Sequence, residues 1–340
     1  MSTEKAITSA HNALLGVMDT CPGERLLVIC DDVRDDVGDI FARAGLGAGL
    51  YTRLITLETE DETLRREVPK FVREAIVGAG PGLAVTCLRG PADEVPFRIR
   101  LIRLITKDKN RRLGHGPGIT LDMLTDGALA LGVEDYDRMR SAAGRVIAST
   151  DGTETIHVTA PGGTDVEMSV RGRGFFTDVK ITNEKWGNLP VGEVLVGPVE
   201  NSLRGVLVCD LAVGGIGPIE NPVKIECKDG TAVDVGCGDP GILSRVKGAL
   251  ATDDMASCVG EMAIGLNPLA RIVEEFLESE KAMGTAHIAF GRNIDYPTGG
   301  RNNSANHMDF LIDKPTLVAF FPDGKGAEIV RGGEFSFKPL

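Results

Sequence analysis

The chain has 340 residues, 42% hydrophobic and 25% charged, a composition typical of a globular protein with one or two domains. Its formal net charge of −12 argues against nucleic acid or an anionic membrane surface as a partner, since both attract basic patches. The seven cysteines form no CxxC pair, and no apolar run reaches the length of about eighteen residues that a membrane helix needs. We therefore expect a cytoplasmic protein with reduced thiols.

The first third of the chain alternates between strand and helix patterns. Buried strands are predicted at RLLVICDD, LYTRLITLE and PGLAVTCLRG, with helices at VGDIFARAGLGAG and PKFVREAIVGAG between them. This alternation indicates a small α/β domain with a parallel or mixed sheet over residues 1–115. The glycine clusters at 45–50 and 114–118 lack the context of a phosphate-binding loop, so no nucleotide site is expected there.

A more β-rich pattern follows a helical stretch near 119–145. Period-two runs such as TIHVTA, DVEMSV, GVLVCD and VKIEC predict strands of a second domain over residues 116–340. Tight turns between antiparallel strands are predicted from glycine and proline at 161–163, 229–230 and 239–241. Two helices and two closing strands are then predicted at 242–251, 267–281, 286–290 and 306–312. The predicted fold class is α/β plus α+β, with a small α/β N-terminal domain and a larger β-rich metal-binding C-terminal domain.

The strongest chemical signal lies near the C-terminus. His287 is followed twenty residues later by His307, with Asp309 two residues beyond. Residues two apart on a strand project from the same face, so His307 and Asp309 can reach one cation. Two histidines and one carboxylate suit a zinc-type hydrolase or a non-haem Fe(II) oxygenase, and these residues alone do not discriminate the two.

Two glutamates upstream extend this set. Glu193 in NLPVGEV and Glu261 in VGEMAIG stand in apolar, glycine-flanked segments, where a buried carboxylate needs a partner. Three carboxylates and one hydroxide would neutralise two divalent ions, whereas a single ion would leave the site negative. If all the candidate ligands converge, their charge favours a dinuclear centre.

Four motifs carry a family resemblance. NLPVGEV, VGEMAIG, HIAFG and SANHMDF occur in the order seen in the aminopeptidase T and aminopeptidase S family of metallo-aminopeptidases, which the chain resembles over about residues 110–335. The resemblance implies an α/β N-terminal domain, a β-rich catalytic domain, a homodimer and two divalent ions, for which zinc, cobalt or manganese would serve. It places the metal ligands on Glu193, Glu261, His287, His307 and Asp309. One of the two glutamates would bridge the ions, and the resemblance favours Glu261 over Glu193.

The expected activity is removal of the N-terminal residue from a peptide, or a related reaction on another small molecule, by a metal-bound hydroxide. The alternative is an Fe(II)-dependent ring-cleaving dioxygenase of the dihydroxypyridine type, which shares the fold of this family. Its iron would use His287, His307 and Asp309. Such a mononuclear site has no need of Glu193 and Glu261, so this glutamate pair favours the peptidase.

One position departs from the family pattern. The family has a functional tyrosine seven residues beyond the histidine of its HIA motif, where this chain has Ile294. Tyr296, two residues later, is the candidate to take its place. Either the Tyr296 hydroxyl or a backbone group near Gly291 would stabilise the oxyanion of the reaction. The sequence offers no candidate for the general base.

Overall fold

Helices and strands alternate in the first part of the chain, and strands dominate the rest. The computed structural model describes residues 2–59, 64–80, 82–182 and 186–337. The α-helices within these ranges are α1 (Ser2–Gly16), α2 (Asp35–Gly47), α3 (Lys70–Ala79), α4 (Val95–Ile105), α5 (Leu121–Thr125), α6 (Val133–Ser149), α7 (Pro240–Leu250) and α8 (Phe276–Ser279). A short 3-10 helix at Ala92–Glu94 precedes α4. Among the described residues, no helix combines the length and apolar character needed to cross a bilayer.

The strands fall into a parallel set and two antiparallel sets. In chain order they are β1 (Arg25–Asp31), β2 (Tyr51–Leu57), β3 (Gly82–Leu88), β4 (Arg111–Pro117), β5 (Thr155–Thr159), β6 (Asp165–Ser169), β7 (Phe176–Thr177), β8 (Trp186–Asn188), β9 (Glu193–Val196), β10 (Arg204–Cys209), β11 (Ala212–Val213), β12 (Gly217–Pro218), β13 (Val223–Lys228), β14 (Thr231–Cys237), β15 (Val259–Gly265), β16 (Thr285–Gly291), β17 (His307–Asp313), β18 (Thr316–Phe320), β19 (Gly326–Arg331) and β20 (Glu334–Phe335).

The first compact unit comprises residues 1–137 and 178–191. Its parallel sheet has the strand order β2-β1-β3-β4-β8. β1 and β3 read as unbroken apolar runs because both of their faces are covered, as is usual for parallel strands. Leu27 and Ile29 of β1 pack in one core with Phe97 and Leu101 of α4. The predicted small α/β domain is thereby confirmed.

The second unit comprises residues 138–177 and 192–340. It contains an eight-stranded sheet with the order β14-β13-β10-β6-β5-β18-β19-β20 and a seven-stranded sheet with the order β12-β11-β17-β16-β15-β9-β7. The pairs of both sheets are antiparallel, and β13 alternates buried and exposed residues along its length. The predicted β-rich C-terminal part is therefore confirmed as well.

The observed division differs from the boundary predicted at 115/116. That position falls inside β4, an internal strand of the parallel sheet. The first unit extends to residue 137, and the segment 178–191 returns to it because β8 pairs with β4. A three-residue strand that joins its sheet from so far along the chain leaves no period-two pattern by which it could be recognised.

Two local predictions for the second unit are wrong. The turn signal at 239–241 begins α7 instead, because the Asp239 side chain accepts hydrogen bonds from the Gly241 and Ile242 amides and Pro240 suits the first helical position. Most of the predicted helix 267–281 is irregular, and only α8 forms within it. Pro268 disfavours helical backbone at Asn267, whose side chain accepts hydrogen bonds from the next turn.

His115 in β4 supplies a test of the first unit. It is buried, and its Nδ1 lies 2.6 Å from the Thr86 hydroxyl. Burial, aided by the charge of Arg98, lowers its pKa from 6.5 to about 3. Below pH 6.5 the unfolded chain therefore binds a proton that the folded chain does not, so stability falls as the pH falls toward 3.

We expect His115→Gln to remove this acid sensitivity. Between pH 6.5 and 5 the wild-type chain should lose about 2 kcal/mol more unfolding free energy than the variant, since one pKa unit corresponds to about 1.4 kcal/mol. Urea unfolding followed by circular dichroism at several pH values measures the difference. Parallel pH profiles for the two proteins would contradict the assignment.

Candidate metal centre

Four neighbouring strands of the seven-stranded sheet carry the predicted ligands. Glu193 begins β9, Glu261 lies in β15, His287 lies in β16, and β17 carries His307 and Asp309. Residues directly opposite on paired strands share a face, as do residues two apart on one strand. The pairings of Glu261 and Asp309 with Ala289, and of Glu193 with Gly265, put all the predicted ligands on one face.

Small side chains leave room on this face. Ala289 separates Glu261 from Asp309 across the sheet, and Ala263 stands opposite His287. A larger residue at either position would occupy the volume in which the carboxylates and imidazoles meet. The alternation of small residues and ligands along β15 and β16 therefore belongs to the construction of the site.

The first ion group consists of Glu193, Glu261 and His287. Each can offer a ligand atom, and these atoms lie within 4.8 Å of one another. His287 Nε2 is 3.1 Å from Glu261 Oε1 and 3.5 Å from Glu193 Oε2. All three residues are buried. The separations are those of donors arranged around one cation.

The second ion group consists of Glu261, His307 and Asp309, whose ligand atoms also lie within 4.8 Å of one another. His307 Nε2 is 3.4 Å from Asp309 Oδ1 and 3.6 Å from Glu261 Oε2. His307 is 35% exposed, so this side of the cluster opens to solvent. Glu261 belongs to both ion groups, with one oxygen toward each histidine.

The donor set fits divalent ions. His307 Nδ1 lies 2.9 Å from the Arg292 carbonyl oxygen, and an N–H there leaves Nε2 as the ligand atom. Carboxylate and imidazole donors together suit several divalent metals. Three carboxylates concentrated on one buried face also require compensating positive charge.

The pKa values of both histidines are raised, which also indicates that the cluster favours positive charge. Burial alone lowers the pKa of His287, but its hydrogen bond to Glu261 and the charge of Glu193 outweigh burial and raise it to about 9. For His307 the charge of Asp309 outweighs burial and raises the pKa to about 10. The carboxylates therefore favour positive charge on both imidazoles, and an ion that binds there must displace any proton from them.

The Tyr296 hydroxyl reaches the cluster and donates a hydrogen bond to Glu261 Oε2. Its ring packs edge-on against Phe176, and its amide donates to the Asn293 carbonyl oxygen. Ile294, at the position of the family tyrosine, is 42% exposed. The Gly291 amide donates to the carbonyl oxygen of Cys258, so it is already engaged within the fold.

Two residues of the cluster were missed by sequence reasoning. A carboxylate oxygen of Glu280 lies within 4.8 Å of the ligand atoms of His287 and Asp309. Lys281 is buried beside it and bonds both Glu280 and Glu193. Both residues fall within the segment 267–281, which was predicted as a helix and was not considered for the site. A signal was present, because a glutamate and a lysine stand only a few residues before the fully buried strand that carries His287.

The sequence and the site identify a family. The sequence model of the thermophilic metalloproteases (M29) matches residues 133–335, which is more than half of the chain and includes every predicted ligand. The chain belongs to this family. It is therefore a metallopeptidase that requires a divalent metal, as the motif resemblance implies. No curated protein matches the chain in sequence.

Two solved structures share the fold. Wild-type AmpT from Thermus thermophilus is 18% identical, with a TM-score of 0.73, and the match covers 98% of this chain and 99% of that one. The 2,5-dihydroxypyridine dioxygenase from Pseudomonas putida KT2440 is 14% identical, with a TM-score of 0.66, covering 99% of this chain and 98% of that one. The predicted kinship and the fold shared with a dihydroxypyridine dioxygenase are both confirmed.

Proposed function

We propose that this metallopeptidase is an aminopeptidase with a dinuclear centre, formed by Glu193, Glu261, His287, His307 and Asp309. The observation that carries the proposal is the position of Glu261, whose two oxygens face the two ion groups and can bridge two ions. Membership of the family and the resemblance to AmpT support peptide hydrolysis over oxygen chemistry.

Bound divalent ions would lower the pKa of water, polarise the scissile carbonyl and hold the free amine of the substrate. The residues of the chain have complementary tasks. Glu193, Glu261 and Asp309 supply the negative charge that retains the ions, and the histidines complete each ion group. To the Tyr296 hydroxyl, which donates to Glu261 Oε2, we assign the hydrogen bond to the oxyanion that would form during attack on the carbonyl.

The family resemblance also leads us to propose a cytoplasmic homodimer. The described cysteines are all free thiols, which is consistent with a reducing compartment. Light scattering of the purified protein measures the assembly, and a monomer at micromolar concentration would refute the dimer.

The proposed activity is tested by three measurements: bound metal per chain, peptide hydrolysis and oxygen uptake. The metal-stripped protein is reconstituted with zinc, cobalt, manganese or Fe(II), and bound metal per chain is measured. We expect two ions per chain and hydrolysis of aminoacyl p-nitroanilides. Acetylation of the substrate amine should abolish turnover, because an aminopeptidase needs that amine free.

Oxygen uptake with 2,5-dihydroxypyridine is followed in the same preparations. The convergence of His287, His307 and Asp309 is also what a mononuclear iron site requires. One iron per chain, oxygen uptake and no hydrolysis would therefore overturn the aminopeptidase proposal in favour of the dioxygenase. Cleavage of acetylated and free peptides at equal rates would instead indicate an endopeptidase.

A further inference from the structure

A lysine is built into the ligand cluster. Lys281 is 0% exposed, and its ammonium group donates a hydrogen bond to Glu193 Oε1. The same nitrogen lies 2.8 Å from Glu280 Oε1. A buried ammonium requires such paired carboxylates, because burying an unpaired charge costs several kcal/mol. Lys281 is therefore a fixed positive charge within the proposed metal centre.

The backbone holds Lys281 in this position. Ala282 forms an isolated parallel bridge with Asn267, and the Asn267 amide donates to the Lys281 carbonyl oxygen at 2.9 Å. Gly265 allows the segment to cross close above the sheet, since a Cβ there would lie 2.0 Å from the Ala282 carbonyl oxygen. The ammonium thus reaches the cluster from a fixed main chain.

The charge of Lys281 falls unequally on the two ion groups. Its partner Glu193 is a member of the first ion group, and one Glu193 oxygen is occupied by the ammonium while the other faces His287. An ion in the first group must share this carboxylate with a fixed cation. Glu193 is not a member of the second ion group. Glu280 is not a member either, although one of its oxygens lies within 4.8 Å of a ligand atom of Asp309, so Lys281 affects that group through its charge on Asp309 and not through a shared carboxylate.

We propose that Lys281 makes the two ion sites unequal. The second ion group binds its ion first and tightly, whereas the first ion group binds later and exchanges its ion readily. The physical cause is competition for Glu193 together with repulsion between the ammonium and an ion on the same carboxylate. This inference rests on the dinuclear centre proposed above and adds the order in which it fills.

The test is a titration of the metal-stripped full chain with Mn²⁺. Binding is monitored by calorimetry and by the electron paramagnetic resonance signal of free Mn²⁺. Wild-type protein should show two binding events whose dissociation constants differ by about tenfold or more. Lys281→Met removes the charge and nearly keeps the volume, so it should tighten the second event by about tenfold. Lys281→Arg keeps the charge and should preserve the inequality.

Variants of the proposed ligands show which ion group gives rise to each Mn²⁺ binding event. Glu193→Gln should delete the weak event, and Asp309→Asn should delete the tight one. Equal affinities in the wild-type protein would overturn the proposal, as would weaker Mn²⁺ binding in a folded Lys281→Met variant. If that variant does not fold, the wild-type, Glu193→Gln and Asp309→Asn titrations still decide the order.

The readout separates this inference from the proposed activity. Mn²⁺ binding is measured without substrate, so two unequal sites in a protein that does not hydrolyse peptides would leave the inference standing. One Mn²⁺ per chain in both the wild-type protein and Lys281→Met would overturn the inference and the dinuclear centre, whatever the peptidase assay shows.

Discussion

Glu261→Gln is expected to empty both ion sites and to reduce peptide hydrolysis by about a thousandfold or more. Glu261 places one oxygen near His287 and the other near His307, so it is the member common to both ion groups. A neutral amide has only one acceptor oxygen and cannot bridge two cations. The expected loss corresponds to about 4 kcal/mol of transition-state stabilisation, within the range that metal ions supply.

Bound metal per chain is the decisive measurement for this variant. Glu193→Gln and Asp309→Asn should each lose one ion, whereas Glu261→Gln should lose both. Glu278→Gln is the matched control, because Glu278 is an equally buried glutamate of the same unit that pairs with Arg271. Full metal content in Glu261→Gln would refute the bridging role, provided that its circular dichroism spectrum matches that of the wild-type protein.

Tyr296→Phe is expected to lower kcat by about a hundredfold to a thousandfold, the usual loss when one oxyanion donor is removed. The metal content and KM should change little, because the variant keeps the ring that packs against Phe176 and all five proposed ligands. The hydroxyl donates to Glu261 in the structure, so it lies beside a proposed metal ligand.

Kinetics and metal analysis on the same preparation check this prediction. Tyr51→Phe is the control, since Tyr51 is 74% exposed and lies in the first unit. A normal kcat in Tyr296→Phe would show that another donor stabilises the oxyanion. A loss of metal with the loss of rate would instead assign Tyr296 to holding Glu261 in place.

Local patterns predicted two of the four strands that carry the site, β16 and β17, but not β9 or β15. His307 and Asp309 are two apart on β17, and this spacing alone indicates a shared face. The strand predicted at 286–290 corresponds to β16, which is buried along its whole length. Strand identity depends on neighbouring residues, which is why these predictions could be made without the fold.

The helix predicted at 267–281 is wrong because contacts between residues far apart in the chain shape this segment. Glu280 and Lys281 stand beside the cluster because Asn267 pairs with Ala282 and the segment crosses over Gly265. Neither contact is encoded by a periodic pattern. β8 is a comparable case, since Trp186–Asn188 joins the parallel sheet by pairing with β4.

The sequence by itself determined the kinship of this chain, its division into an α/β part and a β-rich part, and the residue types of a metal site. These features depend on motif order and on short-range periodicity. The tertiary structure decided which side chains meet: it put Glu261 between two histidines, brought the Tyr296 hydroxyl to Glu261, and set the Lys281 ammonium against Glu193. Strand pairing and chain crossing join residues far apart in sequence, and no local pattern records such contacts.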